Sequence, residues 1–248
     1  YPEEDKKINH WYGLCKMMYP LYINYWRDHQ EEQGRKPILE EENFYVPLEL
    51  PSGRVIRLRG KFDGVYRIGN TIYLQENKTK GRIDIDGITS TVDKNLQAML
   101  YIIALLESLD VKEGVIRNIG NDGQGVIKLP PIGKAGSVNH KNPQPYKIGG
   151  ILYNVIRRPG AVPSVKKKET VKKFLERIQG EIKKKPDYYF MRWKVNLRKK
   201  DIEDFKQVSF YPILESLCDW WESIEADPFN PWFTSIFQVG NTLRRQVE

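Results

Sequence analysis

Cysteine is nearly missing from this chain. Of 248 residues only Cys15 and Cys218 are cysteines, far apart and without a CxxC companion. Four-cysteine zinc and iron–sulfur sites are thereby excluded within the sequence, and no disulfide scaffold is expected. The two read as reduced thiols. Histidine is almost as scarce, at three residues. No stretch approaches the roughly 20 apolar residues that a membrane-crossing helix needs. There is no G-x-x-x-x-G-K-[ST] phosphate loop, because Gly133-Lys134 lacks both the upstream glycine and the following Ser or Thr. No ATPase or helicase engine is therefore visible, and serine-nucleophile and zinc-protease signatures are missing too. The chain opens on Tyr1 with no signal-peptide pattern after it.

What the chain has in excess is positive charge, a net +8. Lys and Arg displace counterions from phosphates, so a basic balance favours polyanionic partners. The clusters Lys166-Lys167-Lys168, Lys172-Lys173, Lys183-Lys184-Lys185 and Arg198-Lys199-Lys200 all fall in the last third. Any one of them reads equally well as a solvated helix face. Apolar residues at 40% and aromatics at 12% are enough for a packed core.

The hydrophobic pattern predicts mixed secondary structure. Residues 10–32 read as a helix with an aromatic and Met stripe (Trp11, Tyr12, Met18, Tyr22, Tyr25, Trp26), ended by Gly34-Arg35-Lys36-Pro37. Residues 43–50 and 54–68 alternate like strands. In the second, Ile56, Leu58, Gly60 and Phe62 share one face, and Arg57, Arg59, Lys61 and Asp63 the other. Gly69-Asn70 signals a two-residue hairpin, with Thr71 to Thr79 as the return strand. A helix is expected from about Thr91 to Leu109, with Leu96, Leu100, Ile103 and Leu106 or Glu107 at helical spacing. Residues 111–150, rich in Gly and Pro, read as a long hairpin or insertion. Ile151 to Arg157 resumes as a strand. Residues 169–185 form an amphipathic helix with Val171, Phe174, Leu175, Ile178 and Ile182 inward. Tyr188 to Val195 reads as a strand, and Asp201 to Glu225 as a helix that Pro212 kinks or interrupts. This order is not a repeating βα pattern. It predicts an α+β (mixed α/β) fold, as a single domain over 1–248 with its core at about 38–110 plus 151–225.

The hairpin permits a geometric expectation. If Gly69 and Asn70 are the loop residues, Ile68 pairs with Thr71, and counting back sets Asp63 opposite Glu76, with Cβ atoms about 5 Å apart on one face. Lys78 shares that face, two residues on. A one-residue slip would separate the set. Two adjacent carboxylates repel unless a proton or a cation lies between them. Mg²⁺ commonly binds through one or two carboxylates plus substrate phosphate, and a neighbouring lysine can orient water or neutralise developing charge. That is equipment for phosphodiester hydrolysis. The same three residues would equally make a cross-strand salt-bridge cluster.

Gly60-Lys61-Phe62-Asp63-Gly64 followed by Gln75-Glu76-Asn77-Lys78-Thr79 resembles the two core motifs of PD-(D/E)XK nucleases. Gln97-Ala98-Met99-Leu100-Tyr101 is similar to the Q-x-x-x-Y motif of the RecB-like branch. The spacings fit, with 13 residues from Asp63 to Glu76 and 19 from Lys78 to Gln97. The resemblance covers residues 41–110 and extends loosely to Tyr153–Pro159 and Arg192-Trp193, which are similar to phage-encoded members. It implies a restriction-endonuclease-like core, a central mixed sheet flanked by helices. It also implies a Mg²⁺- or Mn²⁺-dependent DNA exonuclease of the RecB-like or lambda-exonuclease-like kind, acting in recombination, repair or phage DNA processing. Asp63 and Glu76 would bind the metal, Lys78 would position the attacking water, and Gln97 and Tyr101 would place the strand. Glu41 is a candidate additional acidic residue. Lys80, Arg82, Lys172, Lys173 and Arg192 are placed on the DNA path, where Tyr188–Trp193 reads as a strand-stacking surface or a buried strand. The resemblance further implies DNA as partner, no membrane, a cytoplasmic setting in a bacterium or phage-infected host, and room for a homo-oligomer or a recombination partner protein. Two rivals stand beside it: a structure-selective or site-specific endonuclease on the same core, and a catalytically inactive DNA-binding or assembly protein. RecB-like enzymes usually carry a metal-binding histidine on an early helix. His10 and His29 lack its context, so that motif is expected before Tyr1. Asp84 and Asp86, after the motif strand, fit a polar loop better than a ligand set.

Overall fold

The computed structural model of the protein describes residues 2–27, 29, 34–92, 95–130, 145–164, 166 and 168–226. The tail from Asp227 and the Gly/Pro-rich residues 131–144 lie outside them. The chain divides into two compact units, Tyr1–Val46 with Leu58–Arg198, and Pro47–Arg57 with Lys199–Glu248.

An eight-stranded mixed sheet organises the first unit. Its strands are β1 (Arg35–Glu49), β2 (Val55–Ile68), β3 (Thr71–Lys80), β4 (Leu109–Asp110), β5 (Val115–Ile119), β6 (Gly125–Lys128), β7 (Lys147–Arg157) and β8 (Phe190–Asn196). They lie in the order β4-β5-β1-β2-β3-β7-β8, with β6 paired to β5. The β2–β3 turn is the expected one. Ile68 pairs with Thr71, and Gly69 takes the positive φ of 59° that such a tight loop needs. β3 and β7 run parallel, and β7 and β8 antiparallel. The sheet is flanked by helices: α1 (Pro2–Arg27), α2 (Ile85–Ser90), α3 (Leu96–Ser108), α4 (Val171–Lys184) and the single turn α5 (Pro186–Tyr189). None of the described helices is long and apolar enough to cross a membrane.

Several boundaries differ from the sequence reading, each for a local reason. α3 starts at Leu96 because Asn95 caps it, its Oδ1 accepting from the N–H of Ala98 at 3.0 Å. Its inward residues are Ala98, Met99, Ile102, Ile103 and Leu105, whereas Leu96 and Leu106 face outward. The helix is apolar nearly all round, so periodicity alone does not choose its inward side. In α4, Phe174, Ile178 and Ile182 are buried as expected, but Val171, in the first turn, is exposed. Those three pack on Leu14, Met18 and Trp26 of α1, so the aromatic stripe of α1 is only partly core; Trp11 and Tyr12 are exposed. Tyr188 and Tyr189 belong to α5, since Pro186 at its start favours a helical turn over a strand.

β7 begins at Lys147, not Ile151. Gly149-Gly150 forms a bulge inside it: Ile72 pairs with Ile148, but Tyr73 pairs with Gly150. A Cβ on Gly150, where φ is 135°, would lie 2.1 Å from the carbonyl oxygen of Val195. The extra residue sets everything downstream, so that Glu76 pairs with Tyr153 and Asn77 with Asn154.

In the second unit the turn between β1 and β2, residues 50–54, is closed by the N–H of Leu50 donating to the carbonyl of Arg54 at 2.8 Å. Arg54 bridges Glu215 at 3.0 Å, Asp219 at 2.8 Å and Glu222 at 3.0 Å on α7 (Tyr211–Ala226). α6 (Lys199–Phe205) joins α7 through a wide π-helical turn, Lys206–Phe210. Pro212, which has no N–H and a bulky ring, follows that turn directly. The interruption thus falls just before the proline, where the wider turn relieves it.

Candidate active site

The motif residues lie on β2, β3 and α3, and Glu76, Lys78 and Gln97 come together there. Glu76, in mid-β3, is only 3% exposed. Its Oε1 forms an ion pair with Nζ of Lys78, and its Oε2 is buried without a hydrogen-bond donor among the described residues. Burial pushes its pKa above the ordinary carboxylate range; the Lys78 ammonium opposes this, and the charge of Asp63 adds to it. Nζ of Lys78 also donates to Oε1 of Gln97 on α3 at 3.4 Å. Tyr101, one turn along α3, packs edge-on against Phe44 and Phe62, with ring centres 5.7 and 6.1 Å away. Tyr153 lies beside Glu76 in the parallel register and stacks on Trp193 of β8 at 5.3 Å. Burial, with the Glu76 charge assisting, pushes the Tyr153 phenol up to about 12.

Asp63 is placed differently from the hairpin expectation. Regular pairing ends at Gly64 and Gln75. Phe62 meets Tyr101 on the side where strict alternation from Val65 would put Asp63. Asp63 does not extend the ladder opposite Glu76; its Oδ2 accepts the backbone N–H of Asn77 at 2.8 Å. It lines a cleft of about 240 Å³ together with Arg35, Glu40, Glu41, Gln75 and Asn77. Glu41 thus shares a cleft with Asp63, in a positive-φ conformation (52°) and ion-paired with Lys61 at 2.6 Å.

A polar network lies on the opposite side of β3. Oδ1 of Asn77 accepts from Gln75 at 2.8 Å and from Nδ2 of the buried Asn154 at 2.7 Å. Oδ1 of Asn154 accepts from the Tyr22 hydroxyl at 2.9 Å and from Nε of Arg192 at 2.7 Å. Arg192 also lies over the Trp26 ring at 4.0 Å. Expected on the DNA path, Arg192 is half-buried within this network. Period-two alternation in β3 was the available signal that Asn77 turns away from Glu76 and Lys78. Nothing in the local pattern marks Asn154 or Tyr22.

The remaining candidates are peripheral. Lys80 at the end of β3, Arg82 in the turn after it, and Lys172 and Lys173 on α4 are all exposed. Asp84 caps α2, its Oδ1 accepting from the N–H of Gly87 at 2.9 Å. His10 packs against Trp11 and Phe174, and His29 against Tyr25 and Trp26. Cys15 and Cys218 are both free. No cluster of three or more His, Cys, Asp or Glu side chains suited to a metal occurs among the described residues. Glu76 keeps one buried oxygen without a donor among the described residues, the kind of hard oxygen ligand that a divalent cation takes alongside water and phosphate. Comparison with protein-family models, with curated proteins and with solved structures finds no match to this chain.

Proposed function

We propose that the protein is a Mg²⁺- or Mn²⁺-dependent DNA exonuclease with a PD-(D/E)XK-type, RecB-like centre at Asp63, Glu76 and Lys78. The observation that carries this reading is the Lys78 ammonium held between Glu76 and Gln97, beside a buried Glu76 oxygen that lacks a donor. A purely structural salt bridge has no use for that second oxygen, because a buried unsatisfied carboxylate oxygen is costly.

Asp63 and Glu76 would hold the cation, which when bound supplies Lewis-acid activation of water and of the scissile phosphate. Glu76 and Gln97 engage two of the three Lys78 donors. Among the described residues the third meets no acceptor, and it serves the attacking water or a phosphate oxygen. Asn77 fixes Asp63 through its N–H, leaving Oδ1 of Asp63 for the cation. Gln97 and Tyr101 present the α3 side to the DNA strand. Net positive charge supports a polyanionic substrate.

The test is a digestion panel with Mg²⁺ or Mn²⁺ on end-labelled linear double-stranded, single-stranded and closed-circular DNA. Cleavage of linear but not circular DNA is expected. Cutting of closed circles would make the protein an endonuclease, and failure to cleave any of the three would leave a DNA-binding or assembly protein.

A further inference from the structure

We infer that a second cleft, between the start of α1 and the segment after β7, is a binding subsite for a single-stranded DNA segment. The cleft has a volume of about 480 Å³ and is lined by Lys7, His10, Trp11, Arg158 and residues 159–163. Its lining carries two cations and no carboxylate, unlike the cleft that holds Glu40, Glu41 and Asp63. Trp11 is 40% exposed. The guanidinium carbon of Arg158 lies 5.0 Å from its ring centre. An exposed indole backed by a guanidinium offers a flat wall for an unpaired base and donors for its phosphate. Pro159, Pro163 and the 70%-exposed Val162 add apolar surface to the lining. The volume admits a base or two and not a duplex.

The position ties this cleft to the candidate centre. The N–H of Arg158 donates to the carbonyl of Lys80 at 2.8 Å, and Gly81 lies against the guanidinium, so a Cβ there would be 3.6 Å from it. Glu76, Lys78 and Lys80 succeed one another on one side of β3, which carries Lys80 about 13 Å beyond Glu76. Lys80 is exposed there, as is the backbone turn that follows it. A strand leaving the centre along β3 therefore meets Lys80, then Arg158 and Trp11. This direction of travel rests on the nuclease reading; the affinity rests on the cleft's own chemistry.

One binding experiment separates the two. Binding of fluorescein-labelled dodecathymidylate to the full chain is followed by anisotropy in EDTA, so that no cleavage intervenes. Trp11→Ala is expected to weaken binding roughly fivefold or more, and Trp11→Phe to restore most of it. Arg158→Glu is expected to weaken binding and to flatten the salt dependence by about 0.7 in log–log slope for each phosphate that the protein no longer neutralises. All three variants should keep the native circular dichroism and melting temperature. Unchanged binding in both Trp11→Ala and Arg158→Glu overturns the subsite, as does equally tight binding of duplex with the same sensitivity to Trp11. Trp11-dependent binding without Mg²⁺-dependent cleavage by the wild type would uphold the subsite and remove the nuclease reading alone.

Discussion

The backbone N–H of Asn77 donates to Oδ2 of Asp63 at 2.8 Å, so the residue between Glu76 and Lys78 also fixes the Asp63 carboxylate. Its side chain in turn is held by Asn154, which is held by Tyr22 and Arg192. Glu76 and Lys78 on one side of β3 are thus backed by a polar network on the other, which also reaches Asp63 through Asn77. That coupling, and the groups it leaves buried, have measurable consequences.

Asp63→Ala, Glu76→Ala and Lys78→Ala should each lower metal-dependent DNA cleavage by roughly 10² or more, as loss of a group that acts on developing charge does. Their far-UV circular dichroism should stay native. Full activity in any two of the three would remove the site assignment.

Asn154→Leu should destabilise the protein by about 1–3 kcal/mol, read by urea unfolding. It replaces a buried amide and deprives Tyr22 and Arg192 of an acceptor and Asn77 of a donor. A neutral effect would mean that water satisfies these groups.

Gly150→Ala should destabilise the protein, whereas replacing an unstrained glycine within a strand by alanine would gain about 0.5–1 kcal/mol. Its φ of 135° is strained for any side chain, and the new Cβ would meet the Val195 carbonyl. Because the bulge sets the pairing of Tyr153 with Glu76, a variant that still folds should also lose cleavage. Wild-type stability and activity would refute the role given to the bulge.

Stability should fall at alkaline pH through Tyr153. Its folded-state pKa, about 12, lies above the ordinary phenol value of about 10. A raised pKa means that its contribution is complete below about pH 10 and is lost as pH rises through the interval to about 12. Melting curves across that window should decline less for Tyr153→Phe than for the wild type. Parallel declines would place the cause elsewhere.

Much of the fold and of the candidate site is legible in the sequence because it is local. Alternating residues in 54–68, the Gly69-Asn70 turn and the Thr71–Thr79 run specify a hairpin and its register through side-chain period and turn chemistry. Glu76 and Lys78 follow, since two-residue spacing on a strand fixes a common face, whereas Gln97, on α3, is singled out only by the Q-x-x-x-Y resemblance. The pattern alone starts α3 near Thr91, because Asn95, the true cap, competes with other polar residues nearby.

By itself the sequence determined the mixed α and β composition, the β2–β3 turn, the shared side of Glu76 and Lys78, and the inward face of α4 at Phe174, Ile178 and Ile182. Each depends on residues within one element or one turn. Tertiary structure alone decided that pairing stops at Gly64, that Asp63 turns to the Asn77 amide, and that the Gly149-Gly150 bulge brings Tyr153 to Glu76 and Asn154 to Asn77. The reason is that β7 begins far beyond the end of β3 in the chain, at Lys147 against Lys80. The register of a parallel pair joined by so long a connection is set by packing against other elements, not by any turn between the two strands.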